Sequence, residues 1–416
     1  MDQLAEALDM DPIAFRMQNA NLPDSETPQG LIITSCGLKE CLEAVGAAGD
    51  RVIAEKEKWT SKKWAGLEAN VGGQAELEPA SQLKRGVGFA ATMNVGGGAR
   101  IYRSDGCGAT VKVDDFGHVT LITGSSEIGQ GSETVLAQIV AEVLGIKVED
   151  VSVINSDTDI KPWDVGVHAS RTTFIAGNAA HLAALEARDQ IFETAAEMLG
   201  VASDQLEARA GVVRVRGDVS QSVKLGKIVR RRHFREGGQV VSGEGWYDPP
   251  TQLVDKTTYK GNISAAYGFG AQMAEVEVDV ETGMVRVLRL TCANDVGRAI
   301  NPMAVEGQIE GGAQMGLGYA LTEELLVENG RVINPDFLDY RLFTAADMPQ
   351  IETIIVETDD PTGPFGAKGV GEMGGTPTAA AIANAIFNAI GVRITELPLT
   401  PERILAALDN KGKEVH

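Results

Sequence analysis

Ten consecutive residues, Gly366 to Gly375 (GAKGVGEMGG), limit what this chain can become more than any other segment. Half of them are glycine, and Glu372 is the one carboxylate among them. Glycine at that density costs backbone entropy, so such a loop is kept for what it can approach rather than for stability. It lets main-chain N–H groups come close to a bound group and lets a side chain stand free of its neighbours. The loop then runs into a helix, with Thr376 as the expected N-cap, Pro377 as the first helical residue and Gly391 as the terminator. Ile382, Ile386, Phe387 and Ile390 form its expected buried stripe. A lone acid on such a loop, against a helix N-terminus, suits a catalytic base beside an anionic ligand. Taken alone, a solvated loop glutamate is the commoner reading.

Two further segments weigh against that bland reading. Residues 122–145, ITGSSEIGQGSETVLAQIVAEVLG, read as strand, glycine-rich turn and helix, with Val135, Ile139, Val140, Val143 and Leu144 on the buried face. This arrangement offers amides and a helix dipole to an anion. Gly124 and Gly129 have P-loop spacing, but Gln130 and Gly131 stand where that loop needs Lys and Ser/Thr. A G-x-G-x-x-G dinucleotide fingerprint is absent there too. A tight turn alone explains Gly129 or Gly131, but not both around a glutamine. The third segment, HASRTTFIAGNAA (168–180), sets Ser170, Arg171, Thr172 and Thr173 at a helix start. Three hydroxyls and a guanidinium favour a phosphate or a polar heterocycle, and a capped helix with a solvated arginine explains them equally well.

Composition narrows the class. A length of 416 residues exceeds one ordinary core, so two or three lobes are expected. The net charge of −21 argues against nucleic acid as a partner and for solubility or basic partners. No apolar run is long enough to span a bilayer, and the acidic, amphipathic start MDQLAEALDMDPIAF is unlike a signal peptide, so a cytoplasmic location is expected. Cys36, Cys41, Cys107 and Cys292 include no CxxC pair, and the five histidines do not cluster. No metal ligated directly by side chains of this chain is expected.

Helix is expected over much of 1–60, then an irregular polar boundary at 61–82, and a hairpin over 107–123 turning at Phe116-Gly117. Further on come a strand at 149–155, an Ala-rich helix over 171–200, and alternation over 270–291 about the turn Glu281-Thr282-Gly283. Asn301-Pro302 opens a helix carrying Gly307, Gly311, Gly312 and Gly316 on a face suited to close backbone packing. Thr400-Pro401 opens the last helix. Helices and hairpins are interspersed without βαβ regularity, so the expected class is α+β.

Taken together, EIGQGSETVLAQIVAEVLGI (127–146), DVGRAINPMAVEGQIEGGAQMGLGYAL (295–321) and GAKGVGE (366–372) resemble the molybdenum-cofactor-binding subunit of the xanthine dehydrogenase/aldehyde oxidase family. The likeness covers roughly residues 85–410 and matches the family's second cofactor-binding domain. Residues 1–45 resemble the tail of the first. The resemblance implies a helical tail and linker over 1–82 and the second cofactor domain over 83–416, with lobes of roughly 83–265 and 266–416. It also implies a molybdenum held by a pyranopterin dithiolene, as the mononucleotide or the cytosine dinucleotide. A glutamate matching Glu372 then acts as general base on a molybdenum-bound hydroxyl that attacks a substrate carbon, and hydride passes to a sulfido ligand. Partial burial would raise the pKa of Glu372, and Lys368 nearby would oppose that shift. Gly129, Gln130, Gly131 and Ser132 match the cofactor-contacting loop. Ala169, Ser170, Arg171, Thr172 and Thr173 match the segment around the pterin and its phosphate. Lys368, Gly369, Val370 and Gly371 match backbone contacts beneath the metal. Trp163, Val165 and His168 are expected near the cofactor.

One departure is large. The family's N-terminal substrate-proximal domain and its GGGFGGK-like motif have no counterpart here, since MNVGGGAR (93–100) lacks the aromatic and the lysine. A split subunit is expected, with another chain supplying the N-terminal half of the molybdenum site. Iron–sulfur [2Fe–2S] and FAD-binding partner subunits would carry the electrons away, and the chain alone would hold no stable cofactor. The implied substrate is a heterocycle, an aldehyde or an aromatic thioester. The alternatives are reductive dehydroxylation of the 4-hydroxybenzoyl-CoA reductase type and a non-catalytic scaffold subunit.

Overall fold

Two mixed four-stranded sheets organise the chain, and the computed structural model describes residues 1–65 and 82–414. Most of the polar boundary expected at 61–82 therefore lies outside the described residues. After two short helices, Asp2–Ala7 and Pro12–Gln18, come helix α1 (Leu38–Ala65) and strands β1 (Leu83–Val95), β2 (Cys107–Val113) and β3 (Val119–Thr123). Helix α2 (Ser132–Leu144), strand β4 (Val151–Ile154), helix α3 (Gly177–Leu199), helix α4 (Leu225–Phe234) and strand β5 (Val241–Tyr247) form the first lobe together with β2 and β3. The second lobe continues with β6 (Tyr267–Asp279), β7 (Val285–Asp295), helix α5 (Pro302–Leu321), β8 (Gln350–Val356), helix α6 (Thr378–Ile390) and helix α7 (Pro401–Glu414). The α+β class is as expected.

The first sheet runs β5-β2-β3-β4, with β3 and β4 parallel through the crossover α2. Alternation puts Ala109, Val111, Val113, Val119 and Leu121 inward, where they meet Ile139 and Val140 of α2 and the alanines of α3. Those alanines have a geometric cause. A Cβ on Gly243 or Gly245 of β5 would come within 2.1 Å of the carbonyl of Ala183 or Ala179. Helix and strand therefore touch backbone to backbone, which only small residues allow.

The second sheet runs β8-β7-β6-β1. Helices α5 and α6 cover one face through Ile309, Leu317, Ile382 and Ile386, and α1 covers the other through Leu42 and Val45 against Phe269 and Met273. Strand β1 pairs with β6 along its whole length. Residues 83–95 thus belong to the second lobe, which corrects the expected division at 265. Ile13, Met17, Ile33 and the apolar face of α1 pack on that same sheet. Gly86 and Gly88 of β1 admit α6, because a Cβ on either would meet the backbone of Ala385 at 2.1 Å.

Helix α6 starts one residue later than expected. Pro377 precedes it without a side-chain cap, and the Thr376 hydroxyl instead donates to the carbonyl of Glu372 at 2.8 Å, closing the glycine-rich turn. Gly391 ends the helix at φ 67°, as expected. Its buried stripe is Ala381, Ile382, Ala385 and Ile386. Phe387 is half-buried, with the Arg393 guanidinium over its ring at 3.6 Å.

Candidate functional site

The three glycine- and hydroxyl-bearing segments meet at one place between the lobes. They line a cavity of about 250 Å³ whose walls include Gln130, His168, Thr172, Arg298, Gln308 and Glu372. Two of these segments lie more than 200 positions apart in sequence, and the fold alone brings them together.

The loop 366–372 is pinned from below. The Gly369 amide donates to Gly96 O at 2.7 Å and the Lys368 amide to Val296 O at 2.9 Å. The Lys368 side chain turns into the core, where its Nζ donates to Asp295 Oδ2 at 2.8 Å and Ser35 O at 3.2 Å. Neither side chain of that ion pair is exposed at all. Lys368 is therefore not the neighbour of Glu372 that the sequence suggested. Among the described residues the amides of Val370 and Gly371 donate to nothing, so they stay available to a bound group.

Gly369 also explains how the two lobes join. A Cβ there would sit 1.6 Å from the carbonyl of Ser170, so the 168–171 loop rests directly on it. Ala169 and Ser170 hold φ at 51° and 47°, a region non-glycine residues seldom occupy. That strained turn aims Ser170 at Glu372. The Ser170 amide donates to Glu372 Oε1 at 3.2 Å, its hydroxyl donates to Oε2, and the Glu372 amide donates to Ser170 Oγ at 3.2 Å. In this chain Ser170 positions Glu372, which is exposed at the cavity mouth rather than partly buried.

The 122–145 segment holds a surprise. The amides of Gly129, Gly131 and Glu133 and the hydroxyl of Ser132 donate to the carboxylate of Glu127 at 2.7–3.1 Å. The expected anion pocket at the start of α2 is filled by the chain's own anion. Gly129 and Gly131, at φ 100° and 81°, permit this wrap. Gln130 braces the same loop, accepting from the Ile128 amide at 2.6 Å and donating to Ser126 O at 3.1 Å. The amides of Gly129 and Gly131 and the hydroxyl of Ser132 are thus not free donors, although Gln130 still faces the cavity.

Burial alone would raise the Glu127 carboxyl, but the donors from Gly131, Glu133, Ser132 and Gly129 outweigh it and hold it below its ordinary 4.5. A depressed carboxyl contributes stability above its unfolded value and loses it as pH falls through the folded one. Glu127→Gln should therefore cost about 1 kcal/mol at pH 7, the scale of a lost cap and dipole contact. The cost should fade below about pH 4. Denaturant midpoints at the two pH values check this, and an equal loss at both would mean the charge is irrelevant.

Arg171 also departs from its expected role. Its guanidinium is buried and fully engaged, donating to Asp105 Oδ1 at 3.0 Å, to Asp164, and to the carbonyls of Asp105, Gly106 and Gly166. It braces the turn and has no donor left for a phosphate. Burial pushes the Asp105 carboxyl up, with Arg171 opposing. The cation that faces the cavity is Arg298, 61% exposed. Arg298, Gln308 and Glu127 were not singled out by the sequence reading, and Asn301 only as a helix start. Arg298, Asn301 and Gln308 stand inside the DVGRAINPMAVEGQ stretch, which carried the signal.

The remaining donors suit a polar, acceptor-rich ligand. His168 lines the cavity, and its Nε2 is buried without a partner among the described residues. Thr172 and Thr173 open a π-helical turn, Thr172–Ala176, ahead of α3, and the first turn of α5, capped by Asn301 Oδ1 on the Ala304 amide at 3.1 Å, forms the opposite wall. Trp163 and Val165 do not line the cavity, and Trp163 lies 5.8 Å from Trp246.

Beside the cavity, α5 presents two different faces. Gly312 meets the Gly374–Gly375 backbone closely, as expected, and Gly316 meets the Thr378 side chain and the Gly375 carbonyl. Gly307 and Gly311 face open space instead, on an outward stripe with Met303, Met315 and Tyr319. Phe337 and Leu338, both 80% exposed, lie in the segment that follows α5.

Residues 60–349 match the model of the molybdopterin cofactor-binding domain. The chain is 39% identical over 334 residues to the 6-hydroxypseudooxynicotine dehydrogenase complex subunit gamma of Paenarthrobacter nicotinovorans, covering 79% of this chain and 40% of that one. It is 35% identical to the xanthine dehydrogenase molybdenum-binding subunit of Escherichia coli, covering 97% of this chain and 50% of the relative. Among solved structures, quinoline 2-oxidoreductase from Pseudomonas putida 86 superposes with a TM-score of 0.84 at 27% identity, over 98% of this chain and 50% of that one. The chain spans about half or less of the length of these relatives.

Proposed function

Because the chain belongs to the molybdopterin cofactor-binding family of molybdenum hydroxylases, we propose that it forms part of the molybdenum site of a multi-subunit oxidoreductase. Its reaction is oxidation of a carbon centre with water as the oxygen source. The observation that carries this reading is the convergence of Glu372, His168, the free Val370 and Gly371 amides and Arg298 on one cavity between the lobes. The donors fit a pyranopterin phosphate, which is rich in acceptors and anionic.

Bound there, the molybdenum–pyranopterin would supply the two-electron redox chemistry. Val370 and Gly371 would donate amides to it, and His168 Nε2, Thr172, Thr173 and Gln308 would complete the cradle. Arg298 and the first turn of α5 would face its phosphate. Glu372, held by both donors of Ser170, would accept a proton at the cavity mouth. Sequence beyond this chain's match, on the same or a separate polypeptide, would close the open side. The exposed Met303, Met315 and Tyr319 stripe beside the cavity supports such a cover.

Quinoline and xanthine, in the names of two relatives, favour a nitrogen heterocycle over an aldehyde or an aromatic thioester as the substrate class. Partner subunits with [2Fe–2S] clusters and FAD would take the electrons, and the location would be cytoplasmic. No helix among the described residues is long and apolar enough to cross a membrane. Metal and pterin analysis of the isolated complex should find molybdenum and pterin in equal amounts with this chain. An intact complex lacking both would reject the reading.

A further inference from the structure

Against a net charge of −21, one face of the first lobe is strongly cationic. Lys224, Lys227, Arg230 and Arg231 are exposed along the start and outer side of α4, and none pairs with a carboxylate among the described residues. Their neighbours differ. Arg232 pairs with Glu193 at 2.7 Å, Arg235 with Glu197 at 3.0 Å, and His233 with Asp115. Three of the unpaired four, Lys224, Lys227 and Arg230, line a hollow of about 380 Å³ between α4 and the β2–β3 turn, where Asp150 is the lining carboxylate among the described residues. Phe116 and Phe234, 77% and 78% exposed, stand on the same elements.

The geometry points to this face as a docking surface for an acidic face of another protein subunit. Four unpaired cations on an otherwise acidic molecule complement an anionic surface, and two exposed phenyl rings add the apolar contact that protein interfaces bury. An extended polyanion such as nucleic acid, or an anionic membrane, would also meet the rest of the −21 surface, so a discrete acidic patch fits better. Strand β2 starts at Cys107, bridged to Asp164 beside the cavity, and ends at the turn next to α4. Its seven residues put the face about 20 Å from the cavity. A subunit docked there leaves the cavity open, so this surface is independent of the cofactor reading.

The test uses the assembled complex. Zero-length carbodiimide cross-linking should join Lys224 and Lys227 to Asp or Glu residues of a different subunit. The triple variant Lys227→Glu, Arg230→Glu, Arg231→Glu should lose those links and bind that subunit at least about tenfold more weakly at low salt. Raising salt from about 0.05 M to about 0.3 M should weaken the wild-type contact in the same direction. If charge reversal perturbs folding, Gln at the three positions replaces it, and the wild-type cross-links stand regardless. Links only to a second copy, no links, or unchanged subunit affinity in the variant would overturn the proposal. Binding of DNA or of phosphatidylserine vesicles at low salt that the variant loses would overturn it as well.

Discussion

Glu372→Gln in the assembled complex is expected to keep molybdenum and pterin at wild-type levels while turnover falls by about 10²–10⁴-fold, the range a positioned general base contributes. The substitution is close to isosteric, and the neutral amide oxygen can still accept from the Ser170 hydroxyl. The loop should stay in place, because it is pinned by Gly369 N to Gly96 O and by Lys368 N to Val296 O, contacts that do not involve the Glu372 side chain. What the variant loses is a carboxylate able to take a proton. The alkaline and acid limbs of the rate profile should therefore change shape as well as height. Ser170→Ala provides the comparison, since it removes one donor that orients Glu372 and leaves the carboxylate. A smaller loss in kcat, with cofactor retained, is expected there. Near-normal kcat in Glu372→Gln would remove Glu372 from the catalytic role.

Local signals in this chain were read more truly than long-range ones. The Asn301-Pro302 helix start, the Gly391 stop, the hairpin at Phe116-Gly117 and the buried face of α2 all depend on a few neighbouring residues, and each stands as expected. What misled was the assumption that a charged or donor-rich side chain near a loop must face a ligand. Arg171 lies in the expected segment, yet its guanidinium serves Asp105 and Asp164, the first of them 66 positions away. Glu127 was not singled out, yet its carboxylate occupies the helix start that the glycines prepare. The placement of β1 in the second lobe was equally hidden. Pairing of 83–95 with 267–279 leaves no mark in either strand beyond an alternation that many partners could satisfy.

The second large effect is expected at Lys368, where Lys368→Met should cost about 3–5 kcal/mol of stability, the range for breaking one side of a buried ion pair. Its partner Asp295 would stay fully buried, still accepting from the Gly37 and Gly297 amides at 2.9 and 3.0 Å and from the Thr358 hydroxyl at 2.7 Å, but without a cation. Neutral donors soften that penalty and do not cancel it. Lys368 also holds Ser35 O, so the loss would loosen residues 34–37 from the floor of the 366–372 loop. The double variant Lys368→Met, Asp295→Asn removes the orphaned charge and keeps most of the neutral contacts. It should recover a substantial part of the stability, which a purely steric account of Lys368 would not predict. Thermal and denaturant unfolding of the wild type and both variants decides the matter. A single-variant loss below about 1 kcal/mol would place the pair among ordinary surface contacts, and the loop bearing Glu372 would then need another anchor.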